Sequence, residues 1–208
     1  MLQRTSIDSV NKKLKENPNW KVLDIGCGYT ANENATVVSD VQDLSNFYKN
    51  KKFVKITEKK LPFKDNEFDF VITSHVIEHV DDFQFFISEI ERISKKGYIE
   101  LPTKLGDNLV FENTNDHLWM FEYDDNSNIL LASKKQEFIE PFVSVSTAKK
   151  LEKIFRQSLI LEIIWSNKID YKILSDEIDR EFKRINFLSL IRKYTGKKIR
   201  QLIKSIKN

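Results

Sequence analysis

Apolar positions along the chain fall into short runs and spaced stripes that read as strands alternating with helices. Ile7, Val10 and Leu14 recur at helical spacing behind Ser6, an N-cap residue type, and predict a helix over 6–17 that Pro18 and Asn19 end. Residues 21–25 form a compact apolar run closing on a glycine, which predicts a buried strand. The runs at 36–41, 53–56, 68–73 and 98–101 have the same strand-like length and β-branched or aromatic content. Between 75 and 94 the apolar residues stand mostly three or four apart, which predicts one helix or a pair, with Lys95-Lys96-Gly97 as a basic last turn and C′ glycine. Further strands are expected at 129–132, 138–145, 159–165 and 171–174, and helices at about 147–157 and from about 176 onward. Residues 103–125, rich in Asn, Asp and aromatics, read as a loop-rich insertion. The alternation implies an α/β fold with a largely parallel sheet: one domain over 1–175 and a tail over 176–208.

Composition narrows the class. The chain of 208 residues is 40% hydrophobic, 12% aromatic and 31% charged, which excludes a disordered or collagen-like protein. It has no run of 18 apolar residues, and its first residues lack an apolar core, so neither a spanning helix nor a secretory signal is expected. A single cysteine, Cys27, excludes an internal disulfide and fits a reducing, cytoplasmic setting.

Only five residues are glycine, yet two of them, Gly26 and Gly28, stand in Asp24-Ile25-Gly26-Cys27-Gly28 directly after the first buried run. Such a turn lets backbone approach a ligand closely. No Gly-Lys-Ser/Thr follows, so it is not a phosphate loop, and Thr30 stands where a dinucleotide fingerprint needs its third glycine. Asp40 ends the second strand, a position from which a carboxylate accepts hydrogen bonds from both hydroxyls of a ribose. Cys27, between the glycines, reads as a small residue rather than a reactive one.

The glycine turn, the acidic end of strand two, Leu61-Pro62-Phe63, Phe68-Asp69-Phe70 and Glu78-His79-Val80 together resemble class I S-adenosylmethionine-dependent methyltransferases, and among them the type 11 group. The resemblance covers about residues 20–102. The segment 97–102, followed by Asp116-His117-Leu118-Trp119, is similar to a subset of that group. It implies a Rossmann-like fold, a seven-stranded, mostly parallel sheet with helices on both faces, and S-adenosylmethionine as cofactor. It also implies roles. Asp24 and the backbone at Gly26 and Gly28 would hold the amino acid end, and Asp40 the ribose. Thr57 and Glu58 would face the adenine, although the family usually carries Asp where this chain has Thr57. Ser74 and His75 would flank the methionine side and the substrate mouth.

His75-Val76-Ile77-Glu78-His79 also spells the inverted zinc-protease motif, in which two histidines on one helix face chelate zinc. Here the motif follows a strand directly and coincides with the methyltransferase pattern, so no metal is expected. An oxygen nucleophile needs a base near neutral pH, and histidine is the natural one. The chain's three histidines all fall where such a fold places substrate; His117 is the preferred base and His79 the second, each weighed against a hydrogen-bonded structural histidine. Trp119, Phe121 and Tyr123 alternate beside His117 and either line the acceptor site or pack on the core.

The net charge of +3 conceals an asymmetry. Residues 180–208 carry ten Lys or Arg and one acid, +9, which leaves −6 for the remainder. Ile199, Leu202, Ile203 and Ile206 form an apolar stripe among these cations, as do Phe182, Ile185, Leu188 and Ile191 before Gly196. A basic amphipathic helix fits an anionic membrane surface or an acidic protein, or packs on its own domain with a solvated basic face. The expected activity is methyl transfer to a small acceptor of the glycan or polysaccharide precursor type. A quinone or lipid-like acceptor, or a non-catalytic cofactor-binding subunit, are the other readings. Nucleic acid is not expected as a partner, since no Asn/Asp-Pro-Pro-Tyr motif or recognition module is present.

Overall fold

The computed structural model describes residues 1–175 and 187–206. Four parallel strands form its centre: β2 (Val22–Ile25), β3 (Val37–Asp40), β5 (Phe70–Ser74) and β6 (Lys96–Pro102). With β1 (Leu2–Arg4), β4 (Lys52–Lys55) and β9 (Ile160–Ser166) they make a seven-stranded sheet in the order β1-β9-β6-β5-β2-β3-β4. Strands β2 to β6 pair in parallel, while β9 is antiparallel to both β6 and β1. Side chains alternate across a strand, so a sheet covered on both faces is apolar at nearly every position. Val22, Phe70, Ile72 and Tyr98 accordingly pack with Val10 and Leu14 of α1 (Ile7–Glu16). Leu23, Val71, Ile99 and Ile163 join Phe83, Ile87 and Ile90 of α2 (Phe83–Ile93) on the opposite face.

Both helix starts have a side-chain cap: Ser6 accepts from Ser9 N, and Asp82 from Phe85 N. The helical stretch expected between 75 and 94 resolves into a 3-10 turn, Ile77–His79, and α2. Its expected end is corrected: Ser94 is the C-cap, and Lys96 and Gly97 already belong to β6. Gly97 serves close packing, since a Cβ there would stand 2.5 Å from both Val71 O and Trp165 Nε1.

The insertion after β6 is more ordered than the sequence suggests. Thr103 caps α3 (Lys104–Leu109), and α4 (Asn113–Asp116) follows. Then β7 (Trp119–Asp124) pairs antiparallel with β8 (Ile129–Lys134), and β10 (Tyr171–Ile173) joins β8 in parallel to complete a second, three-stranded sheet. Trp119, Phe121 and Tyr123 are core residues of that sheet; the Trp119 and Phe121 rings pack edge-on to Phe83. The strand expected over 138–145 does not form: it is reduced to isolated bridges at Ile139 and Val143, the latter to Val110, with Pro141 between them. Helix α5 (Val145–Leu159) then leads into β9.

The last described element, α6 (Phe187–Ile206), is a single helix running through Gly196. Phe182 and Ile185 of the expected stripe, like residues 176–186 generally, lie outside the described residues. Among those described, no helix is long and apolar enough to cross a membrane.

Candidate active site

The carboxyl ends of β2, β3 and β5 meet at the point where strand order reverses, with β2 leading to β3 on one side and β5 on the other. Ligands of open α/β sheets bind at such a switch point. The turn after β2 is built for it. Gly26 and Gly28 have φ of +66° and +47°, conformations that favour glycine. A Cβ on Gly26 would stand 2.4 Å from Val76 Cγ2, whereas one on Gly28 would meet no atom within 4 Å and would instead fill the open space beside the turn. Asp40 at the end of β3 ties this turn down, accepting from Gly28 N through Oδ2 and from Gln42 N through Oδ1, each at 2.9 Å.

Two clefts join here, of about 910 Å3 and about 800 Å3, sharing Gly26, His75 and His79. The smaller contains Asp40, Thr57 and Glu58; the larger contains Asp24, Gly28, Ser74 and His117. All ten residues singled out from the sequence thus line these two adjoining clefts. Their environments set their chemistry. Burial pushes the Asp24 carboxyl up to about 7, against the pull of the Asn32 N–H at 2.7 Å. Burial beside Asp24 and Asp40 raises the Cys27 thiol to about 11, so it is an inert packing residue.

His75 directly follows β5 in the left-handed region, φ +54°, an uncommon conformation for a side-chain-bearing residue. Its Nδ1 lies 3.2 Å from Glu78 Oε1 and its Nε2 3.4 Å from Glu100 Oε1. Burial alone would lower its pKa, but the hydrogen bonds to Glu100 and Glu78 outweigh it and raise the imidazole to about 10. The two histidines of the zinc-protease pattern therefore do not share a helix. His75 faces two carboxylates from the strand end, while His79 closes the 3-10 turn.

His79 instead meets His117, the rings edge to face with centroids 4.6 Å apart. Each is held through Nδ1: His79 on Asp116 O at 2.8 Å, and His117 on Asp107 Oδ1 at 2.6 Å. With Nδ1–H donating, Nε2 is the free lone pair on each ring. Asp107 is buried and also accepts from Lys135 Nζ; these two partners outweigh its burial and hold its carboxyl below the usual range. Sequence reasoning missed Asp107, which reaches His117 only because α3 folds back under the insertion. It also missed the network of Glu100, Glu162, Tyr98 and Arg156, of which Glu100 and Arg156 line the larger cleft and the other two are buried behind it. There Arg156 Nη2 donates to Glu100 at 2.6 Å and to Glu162 at 3.0 Å. The Tyr98 hydroxyl lies 2.5 and 2.9 Å from the same two carboxylates.

A parallel sheet with a glycine turn at its switch point, an acidic end to the neighbouring strand and a joined pair of clefts defines a Rossmann-like nucleoside-cofactor enzyme. Residues 23–99 match the family described as a methyltransferase domain. That match supports a class I S-adenosylmethionine-dependent methyltransferase of the type 11 group, with S-adenosylmethionine as its cofactor. It is similar to an uncharacterized protein of Methanocaldococcus jannaschii, 29% identical over 74% of this chain and 82% of that protein. Among solved structures it is similar to an S-adenosylmethionine-dependent methyltransferase from Aquifex aeolicus, 16% identical over 74% of this chain and 88% of that one, TM-score 0.40. It is also similar to YcgJ from Bacillus subtilis, 21% identical over 47% of this chain, TM-score 0.39; the chain spans 52% of that protein's length.

Proposed function

We propose that the chain transfers a methyl group to a hydroxyl of a small, polyhydroxylated acceptor of the glycan-precursor type. The observation that carries this reading is the joining of two clefts at Gly26, His75 and His79. The smaller, with Asp40, Thr57 and Glu58, suits a nucleoside; the larger opens onto Glu112, Asn113, Asp116, Glu152 and Arg156 around the His79–His117 pair. Hydrogen-bonding side chains of this density favour a sugar-like acceptor over a quinone. The cofactor supplies an electrophilic methyl group on a sulfonium centre. Asp40 binds its ribose, Asp24 and the Gly26–Gly28 backbone bind its amino acid end, and Thr57 and Glu58 face its adenine. Carboxylates at the junction suit a cation. His117, fixed through Asp107, and His79 present their free nitrogens to the acceptor, and positioning supplies most of the rate.

Calorimetry and turnover test this together. S-adenosylmethionine is expected to bind the wild-type chain, and Asp40→Ala to weaken it at least tenfold. Release of S-adenosylhomocysteine is expected with sugar-nucleotide acceptors and not with quinols. Unchanged binding in Asp40→Ala would overturn the cofactor assignment, and turnover on quinols alone would overturn the acceptor class. Binding without turnover on either would make the chain a cofactor-binding partner subunit.

A second reading concerns α6. Leu188, Tyr194, Ile199 and Leu202 on this helix are 76%, 65%, 56% and 62% exposed, so the apolar stripe is not buried against the domain. With Arg and Lys between these positions and no acid from 187 to 206, the helix suits an anionic membrane surface.

A further inference from the structure

Glu78 is fully buried, yet only one of its carboxylate oxygens is satisfied. Oε1 meets His75 Nδ1, while Oε2 has no hydrogen-bond partner. A buried carboxylate oxygen without a donor is costly unless a cation completes it. The residues beside it supply the rest of such a site. One ligand atom each from Glu78, His79 and His117 lie within 4.8 Å of one another. Both histidines use Nδ1 outward, on a backbone carbonyl and on a carboxylate, which fixes the tautomer that presents Nε2. This outer-shell arrangement is the one metal-bound histidines use.

We propose that Glu78, His79 and His117 bind a first-row divalent cation, zinc in kind, at the acceptor side of the cleft. Two imidazoles and one carboxylate match the donor set of catalytic zinc sites, which keep a further position open. Zinc holds such ligands at about 2.0–2.2 Å, so tetrahedral ligand atoms stand roughly 3.5 Å apart and the trio closes by about 1 Å on binding. His79 is exposed and stands in a single 3-10 turn, so it can move that far. The open position faces the cleft shared by His79 and His117 and takes a water or an acceptor hydroxyl, whose proton passes to solvent as the oxygen coordinates. The cation site stands on this geometry alone; its role in activating an acceptor rests on the methyltransferase reading. With the cation bound, both Nε2 lone pairs are on the metal, so coordination of the acceptor hydroxyl replaces the histidines as the means of its deprotonation.

The test uses the purified full chain, freed of metal by dialysis against a chelator. It is titrated with Co2+ followed by its visible absorption, and with Zn2+ by competition against a chromophoric chelator. One equivalent is expected per chain, with a tetrahedral cobalt spectrum. His79→Ala and His117→Ala should each weaken binding at least tenfold, and Asp107→Asn, acting through His117, about tenfold. Thermal unfolding of each variant shows that it folds. No stoichiometric uptake, or equal uptake by the His79→Ala/His117→Ala double variant, overturns the site. Calorimetry with S-adenosylmethionine on the metal-free chain separates the two ideas. Cofactor binding without metal uptake overturns the cation site and leaves the methyltransferase reading intact. Metal uptake without cofactor binding upholds the site and overturns that reading.

Discussion

Asp24 retains its proton to about pH 7 because burial at the end of β2 penalises the charged form. Raising a native pKa above its unfolded value gives stability that is present at low pH and lost as pH rises. The cofactor-free protein should therefore lose stability between about pH 4 and about pH 7. A ligand ammonium beside Asp24 favours the carboxylate, so affinity for S-adenosylmethionine should rise roughly tenfold between pH 6 and pH 8. Calorimetry across that range, repeated on Asp24→Asn, reads the effect: the variant should bind with a flat profile, and a flat wild-type profile would sink the assignment. This residue was legible because its motif is local. Asp24, Gly26 and Gly28 lie within five residues, and Asp40 ends the next strand. Asp107 and Glu78 were not legible as the groups that set the two histidines' chemistry. Their partners are chosen by α3 and the 3-10 turn, and neither element has a strong periodic signature. The same holds for the histidines' own arrangement. The pattern at 75–79 pairs the wrong two, because one residue with positive φ at His75 separates strand from turn and turns its ring toward Glu100.

At the scale of elements, the strands buried on both faces were readable as apolar runs, since nothing in a parallel sheet asks for alternation with polar residues. The runs expected at 129–132, 159–165 and 171–174 likewise form β8, β9 and β10, whereas short edge segments went unread. Residues 2–4 become a strand only because β9 offers them an antiparallel edge, and 119–124 do so because β8, itself paired with β10, returns to meet them. The apolar run at 138–145 shows the reverse. Its composition suits a strand, but Pro141 removes a ladder donor and leaves isolated bridges at Ile139 and Val143. The join between α5, β6 and β9 depends on Arg156, whose guanidinium is shared by Glu100 and Glu162 while Glu162 also accepts from Ile7 N at the start of α1. Removing one partner of a largely buried charge cluster leaves the others uncompensated. Arg156→Ala should cost about 3 kcal/mol, the lower end for breaking a buried ion pair because the side chain is a third exposed. In a chain of this size that lowers Tm by about 6–12 °C. Arg156→Lys, which keeps the charge but not the fork, should recover part of it. Urea unfolding of the three proteins measures this directly, and a loss under about 0.5 kcal/mol in Arg156→Ala would show that the cluster is tied by Tyr98 alone.

Across the whole molecule, charge is divided between its parts: −6 up to residue 179 and +9 from 180 onward. Six of those cations, Arg192, Lys193, Lys197, Lys198, Arg200 and Lys204, are on α6, the helix whose apolar stripe is exposed. An acidic domain is repelled by an anionic bilayer, so attraction must come from the tail, and the stripe supplies the apolar face that such a helix buries at the interface. Each surface-proximal cation contributes about 1 kcal/mol toward an anionic membrane, an attraction that acts within a Debye length of about 10 Å at 0.1 M salt and about 3 Å at 1 M. Three outcomes therefore have to occur together in a vesicle co-sedimentation experiment. The full chain should sediment with vesicles containing phosphatidylserine and not with neutral phosphatidylcholine vesicles. High salt should release most of it, leaving what the apolar face alone retains. A chain ending at residue 179 should remain in the supernatant while binding S-adenosylmethionine as tightly as the full chain, since among the described residues none that lines either cleft lies beyond Ile160. Equal sedimentation of the shortened chain would place the membrane contact on the domain. Retention by neutral vesicles would mean that the cations play no part. Failure of the full chain to bind any vesicle would leave the stripe and its cations to an acidic protein, the other surface with the same electrostatic sign.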